Sequence, residues 1–159
     1  MPPSVSDGVI YLGTDGNQFK ALDAATGAEI WSIQGDKPTA GNPAEWSAPI
    51  VTADTIYVGH SSHNFYALGT KTGQKKWATP ISDWGTAAPS LANGIIYFGV
   101  GAHGSDTDDN AERPFYALNA ETGEVVWTFI GKGPVLDGMA IGDAAIYFNT
   151  VAGNLYALH

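Results

Sequence analysis

Short runs of β-branched and aromatic residues alternate with turn residues along the whole chain. Four runs carry a tyrosine in their third place, at residues 9–12, 55–58, 95–98 and 145–148. A second apolar run follows each of them, at residues 19–22, 65–68, 115–118 and 155–158. Gly, Asn and Asp bound the runs, and no segment shows a helical period. This pattern predicts short antiparallel strands joined by tight turns, and an all-β fold.

The strands belong to a repeat. An Ala-Leu pair is followed by Thr-Gly five and six residues after the Ala and by Trp ten after it, in residues 21–31, 67–77 and 117–127. A fourth copy begins at Ala157. The intervals between the repeated tyrosines are 46, 40 and 50 residues, and removing insertions of six and ten leaves 40 each time. The underlying unit is therefore a β module of about 40 residues.

Four antiparallel strands in each such module are typical of a β-propeller blade. We expect a single propeller domain over residues 1–159, with repeats at 3–35, 47–80, 87–131 and 137–159. The last repeat contains only three of the four strands. We therefore expect its outer strand to be missing and the edge at residues 155–158 to be open.

The repeated motif, Ala-x-Asp-x-x-Thr-Gly-x-x-x-Trp, resembles the tryptophan-docking motif of PQQ-like, quinoprotein-type propeller repeats. The Asp place holds Asp23, Gly69, Asn119 and His159 in the four copies. The resemblance implies that each tryptophan packs on the Gly-containing turn of a neighbouring blade. A flat indole needs a partner without a Cβ, and Gly also permits the positive φ of a tight turn. The docking residues would be Trp31, Trp77 and Trp127 with Gly27, Gly73 and Gly123.

The family resemblance suggests rings of seven or eight blades, so four repeats make about half a ring. Exposed apolar sheet faces and an unpaired edge favour association. We expect a homodimer in which two chains form one eight-bladed ring about a two-fold axis. The alternatives are a four-bladed ring made by one chain and a truncated piece of a longer propeller.

The two insertions are predicted to lie on one side of the ring, at residues 35–46 and 101–114. Insertions in repeat proteins often mark the binding side, although neutral variation in loop length is an equal alternative. The candidate binding face for a protein or small-molecule ligand comprises Trp46, Trp84, His60, His63 and His103. The three imidazoles could hold zinc or copper, or they could be exposed turn residues.

The second insertion contains an acidic segment. Asp106, Asp108 and Asn110 alternate as in a Ca²⁺-binding loop, but the Gly and the bidentate Glu of an EF-hand are absent. A solvated hairpin is the alternative. The segment also follows a G-x-G-x-x-G match at residues 99–104, which no helix follows, so a dinucleotide site is not expected. The match of residues 59–63 to G-x-S-x-G lacks its last Gly, which argues against a serine hydrolase.

Composition narrows the partners. The chain has 7 basic and 16 acidic residues, a formal net charge of -9. This charge repels phosphate backbones, so we expect no nucleic-acid partner. The absence of Cys excludes disulfides and thiolate sites. No apolar run approaches 18 residues, so no membrane span is predicted, and residues 1–7 lack the features of a signal peptide. The sequence does not identify the cellular compartment of the protein. Proteins of the resembled family are often periplasmic or extracellular.

Two functions follow as expectations. The first is a non-catalytic PQQ-like propeller module that serves as a binding scaffold and needs no cofactor. The alternative is a half or fragment of a quinoprotein dehydrogenase, for which the resemblance implies PQQ and Ca²⁺. Against the alternative stand the four repeats and the lack of the vicinal Cys pair that often stacks on PQQ in that family. A half-propeller with no function beyond folding is a third hypothesis.

Overall fold

A computed structural model of the protein describes residues 2–38, 43–82, 87–101, 108–135, 138–143 and 145–159. Within these ranges the regular secondary structure consists of fifteen β-strands. The strands are β1 Ser4–Ser6, β2 Val9–Gly13, β3 Gln18–Asp23, β4 Glu29–Gln34, β5 Ile50–Val51, β6 Thr55–His60, β7 Asn64–Gly69, β8 Lys75–Pro80, β9 Ser90–Ala92, β10 Ile95–Gly99, β11 Glu112–Asn119, β12 Val125–Lys132, β13 Ala140–Ile141, β14 Ile146–Asn149 and β15 Leu155–Leu158.

The strands form four antiparallel sheets in simple up-and-down order. Blade one is β1-β2-β3-β4, blade two is β5-β6-β7-β8, and blade three is β9-β10-β11-β12. The fourth sheet has three strands, β13-β14-β15. The prediction of an all-β propeller with an incomplete fourth blade is therefore confirmed.

The sequence repeat is also a repeat of register. In blade one Ala21 lies opposite Tyr11 on one side and Trp31 on the other, and a β-bulge follows it. The same pairing and the same bulge occur around Ala67 and Ala117. A small side chain at this position lets the large rings on both neighbouring strands share one face of the sheet. The tyrosine, alanine and tryptophan of the repeat therefore take the same pairing positions in every complete blade.

The apolar cores lie between blades. We call the side of a blade that packs on the preceding blade its front face, and the side that packs on the next blade its back face. Phe65, on the back face of blade two, stacks on Phe98, on the front face of blade three, with ring centroids 4.3 Å apart. Phe115 and Phe148 repeat this contact between blades three and four at 4.3 Å. Each junction is thus a packed contact between two apolar sheet faces.

Two faces have no such neighbour within the described residues. The front face of blade one presents Ile10, Leu12 and Leu22, which are only partly buried, whereas their counterparts in blades two and three are fully buried. On the back face of blade four, Leu155 is 76% exposed and Tyr147 is 43% exposed. The described blades do not close into a ring, which agrees with a partial propeller.

Candidate functional site

The indole of Trp31 bridges blades one and two. Its Nε1 donates a hydrogen bond of 2.9 Å to the carbonyl oxygen of Thr70. Its ring lies against the turn at Gly73, where an added Cβ would be 2.8 Å from Cε3. Gly73 also has a φ of 68°. The glycine therefore meets two demands at once, a left-handed backbone and the close approach of a flat ring.

Trp77 makes the same contact with blade three. Its Nε1 donates to the carbonyl oxygen of Ala120 at 3.3 Å, and an added Cβ on Gly123 would be 2.7 Å from Cδ2. The hydroxyl of Thr79 donates to the carbonyl oxygen of Gly123 at 2.6 Å. Two consecutive junctions thus share one docking geometry.

The turn of blade one differs because no side chain from the described residues lies on it. Gly27 has a φ of 73°, but an added Cβ would meet nothing within 4 Å. Trp127 lies over Tyr97 and Phe115 of its own blade, with ring centroids 6.0 and 5.9 Å away. The described residues contain no Thr-Gly turn on which the ring of Trp127 could pack as Trp31 and Trp77 do.

The side chain in the Asp place of the motif accepts hydrogen bonds from the residues of the same turn. In blade one the backbone N–H of Thr26 donates to Oδ1 of Asp23 at 2.8 Å, and its hydroxyl donates at 2.7 Å. These hydrogen bonds hold the pKa of Asp23 below its ordinary value. Asn119 accepts from the N–H of Thr122 in the same way in blade three. A side-chain oxygen that caps the turn explains why Asp and Asn both fit this place.

The first insertion places Trp46 in the junction between blades one and two. Trp46 is 2% exposed, and its ring centroid lies 4.3 Å from that of His60 and 5.2 Å from that of Phe19. An added Cβ on Gly13 would be 2.5 Å from the Cβ of Trp46, so the repeated Tyr-x-Gly glycine accommodates this ring. Packing under the loops, rather than exposure to a ligand, describes the position of Trp46.

His60 is buried beside Trp46, with 0% of its surface exposed. Its Nδ1 accepts from the backbone N–H of Ser62 at 3.1 Å, which leaves Nε2 as the donor to Oδ1 of Asn17 at 2.8 Å. Burial lowers the pKa of His60 to about 4, against an opposing effect of Asp36. The imidazole is therefore neutral at physiological pH and ties the two blades together.

Asp36 extends this polar junction to the surface. Its Oδ2 accepts from the hydroxyl of Tyr66 at 2.6 Å and from Nζ of Lys75 at 3.2 Å. The hydrogen bond from Tyr66 is the main cause of the lowered pKa of Asp36, and burial raises the pKa of Tyr66. The pattern of the sequence did not indicate Asn17, Asp36 or Tyr66, because their partners lie 30 to 43 residues away. Only the asparagine before β3 carried a signal, since Asn tolerates the positive φ of 60° found there.

The other predicted site residues are distributed as follows. Ser61 is buried, and its hydroxyl accepts from the backbone N–H of Glu45 at 2.9 Å. His63 is partly exposed in the β6–β7 turn, with a φ of 60°. Trp84 and His103 lie outside the described residues. The binding role of this face stays a prediction.

The calcium hypothesis finds no cluster in the described residues. Oδ1 of Asp108 accepts from the backbone N–H of Asn110 at 2.9 Å, as in an ordinary surface turn. Asp106 lies outside the described residues. Across the described part of the chain, no three His, Asp or Glu side chains come together as a metal site would need. The Ca²⁺ and PQQ hypotheses therefore stay predictions.

A family model described as outer membrane protein assembly factor BamB, PQQ_2, matches residues 1–99. The chain belongs to this family. The PQQ-like resemblance of the tryptophan motif is thereby confirmed. No curated protein sequence matches the chain significantly.

Several solved structures have the same fold as this chain. BamB from Moraxella catarrhalis is 22% identical with a TM-score of 0.70 over 98% of this chain and 45% of that one. The computationally designed Ika4 protein is 14% identical with a TM-score of 0.77, over 99% of this chain and 88% of that one. Quinohemoprotein alcohol dehydrogenase from Comamonas testosteroni is 20% identical with a TM-score of 0.74, over 92% and 28%. The chain thus spans about half the length of the BamB structure that it resembles. No helix in the described residues is long and apolar enough to cross a membrane.

Proposed function

We propose that this chain is a non-catalytic PQQ-like propeller module that acts as a protein-binding scaffold and completes its ring with a second copy. The observation that carries the proposal is the pair of uncovered end faces, the front of blade one and the back of blade four. Residues that are exposed or only partly buried on these two faces occupy places that are buried in the internal junctions. This equivalence supports the pairing of one end face with the other.

The expected contact can be named from the internal junctions. Leu12 occupies the place of Phe98 and Phe148 on a front face, and Leu155 occupies the place of Phe65 and Phe115 on a back face. Those phenylalanines stack at 4.3 Å in two successive junctions. Leu155 of one copy should therefore meet Leu12 of the other. Burial of these faces removes a large apolar surface from water, which is the main driving force for association.

The scaffold role is supported by what the polar residues of the loop face do. His60 and Ser61 are buried in structural hydrogen bonds, so neither presents a base or a nucleophile to solvent. The matching family is described as an outer membrane protein assembly factor. A role in protein assembly fits a module that offers sheet faces and edges.

Cysteine cross-linking tests the end-face contact, since the natural chain has no Cys. The double variant Leu12→Cys with Leu155→Cys is oxidised, or treated with a short bifunctional thiol reagent, and run on a non-reducing gel. The proposal predicts a covalent dimer. A cross-link within one chain would instead indicate a four-bladed ring, and no cross-link would contradict end-face pairing. The matched control is Val126→Cys with Leu155→Cys, because Val126 is exposed on an outer strand away from the end faces.

The dehydrogenase alternative has its own test. PQQ and Ca²⁺ are added together to the purified chain, and the quinone absorbance and alcohol-dependent dye reduction are followed. The scaffold proposal predicts no change in either. Dye reduction above that of a heat-denatured control would overturn the non-catalytic assignment.

A further inference from the structure

We propose that the groove between blades two and three, on the side of the Thr-Gly turns, binds an uncharged saccharide. The groove has a volume of about 550 Å³ and lies between β8 and the β5–β6 turn of blade two and the β9–β10 and β11–β12 turns of blade three. In an up-and-down blade successive turns emerge on alternate sides, so these turns lie opposite the β6–β7 turn that contains His63. The site is therefore separate from the loop face and from the two end faces. It goes beyond the scaffold role and does not require that the ring close.

The first support is the hydroxyl of Tyr57, which belongs to the wall of the groove. Tyr57 is only 7% exposed, and within the described residues its hydroxyl has no hydrogen-bond partner. Its counterpart Tyr11, in the junction between blades one and two, donates to the carbonyl oxygen of Thr70 at 3.5 Å. A nearly buried phenol normally has a partner for its O–H. A ligand hydroxyl in the groove would provide one.

The second support is that the walls offer hydrogen-bond acceptors and donors together. On blade two, Oδ2 of Asp54 accepts from Nζ of Lys76 at 2.9 Å. Hydrogen bonds from Lys76 and Thr55 hold the pKa of Asp54 below its ordinary value, so its carboxylate only accepts. On blade three, Oδ1 of Asn119 accepts from the backbone N–H of Glu121 at 2.9 Å, which leaves the amide nitrogen of Asn119 to donate. Sugar hydroxyls both donate and accept, so a saccharide uses both kinds of group at once.

The third support is the combination of apolar surface and mixed charge. Trp77 and Ile95 are partly exposed and contribute apolar surface to a groove with a polar rim. The C–H face of a sugar ring packs on such a surface. The carboxylates of Asp54 and Glu121 disfavour an anion such as phosphate, and the ammonium of Lys76 disfavours a cation. The class of ligand that this groove fits is therefore uncharged and rich in hydroxyls.

The equivalent groove between blades one and two provides a comparison within the molecule. Its volume is smaller, about 320 Å³. Ile30, which is 51% exposed, occupies the place of Lys76, and Lys71 occupies the place of Glu121. Saccharide binding is therefore expected between blades two and three and not at this other junction.

Saturation-transfer difference NMR of the unmodified chain tests the proposal. The probes are glucose, galactose, mannose, N-acetylglucosamine, maltose and cellobiose, each titrated separately. We expect saturable binding of at least one of them with a Kd on the order of 1 mM, because the groove is open and its polar groups must lose water. Putrescine and inorganic phosphate are the charged probes, and both should bind more weakly than the best sugar. No saturable binding of any of the six sugars, or tighter binding of either charged probe, would overturn the proposal.

Matched variants then locate the site. Tyr57→Phe removes only the hydroxyl and should weaken binding of the best sugar about fivefold to tenfold. The control Tyr11→Phe removes the equivalent hydroxyl from the other groove and should change the Kd by less than about twofold. Glu121→Gln, in an exposed turn, should weaken binding about fivefold and leave the circular dichroism spectrum unchanged. Equal effects of the two tyrosine variants would show that the sugar binds elsewhere and would overturn the proposal.

Discussion

The glycine that receives each docked indole offers a controlled test of how the blades are held together. Gly27, Gly73 and Gly123 occupy the same place in three turns, with φ values of 73°, 68° and 76°. Only the last two lie under an indole. Substitution by alanine therefore imposes the same backbone strain three times and an indole clash twice.

The magnitudes follow from the geometry. An alanine in the left-handed region costs roughly 1 to 2 kcal/mol, and we expect this loss alone for Gly27→Ala. At Gly73 the new Cβ would be 2.8 Å from Trp31, and at Gly123 it would be 2.7 Å from Trp77. Overpacking of this kind adds about 1 to 3 kcal/mol, so Gly73→Ala and Gly123→Ala should each lose about 2 to 5 kcal/mol.

Urea denaturation followed by circular dichroism measures the free energy of unfolding of the three variants and the parent chain. Indole fluorescence adds a local readout, because Trp31 or Trp77 should move into water when its seat is blocked. Equal losses at all three glycines, within about 0.5 kcal/mol, would refute indole docking as a contribution to stability.

Two further predictions concern burial at other points of the junctions. The pKa of His60 is about 4 in the folded chain and about 6.5 in the unfolded chain, so only the unfolded state takes up this proton as pH falls from 6.5 to 4. The free energy of unfolding should therefore drop by about 3 kcal/mol over that window. A His60→Gln variant measured by the same titration should lack this part of the drop. Phe65→Ala should cost about 3 to 5 kcal/mol in thermal or urea unfolding, because the ring is fully buried. In dilute samples that contain single chains, Leu155→Ala at the equivalent exposed position should cost less than about 0.5 kcal/mol, and a loss similar to that of Phe65→Ala would show that blade four is already covered within one chain.

The fold could be predicted from the sequence because the signals that define it are local and repeated. Short runs of β-branched and aromatic residues located the strands, and the spacing from Ala21 to Trp31 located the Thr-Gly turn and the strand that ends at the tryptophan. The same frame at Ala67 and Ala117 showed that one solution is used several times. Variation within the frame was also tolerated for a local reason, since Asn119 caps its turn much as Asp23 does.

The candidate site could be predicted less well because it depends on contacts between distant residues. His60 was recognised as a polar residue in a turn, but its burial depends on the ring of Trp46, which lies against it. Its partner Asn17 belongs to another blade, 43 residues earlier. The repeat predicts which residues form strands, because its signals are local. The contacts of residues in an insertion depend on distant parts of the chain and cannot be predicted from the repeat.

We propose that the two uncovered end faces belong together in a ring of two chains. Sedimentation equilibrium of the unmodified chain, over a range of micromolar concentrations, tests it most directly. We predict a mass of twice 16.6 kDa, about 33 kDa, that gives way to single chains on dilution. A mass of 16.6 kDa at every concentration would contradict the account.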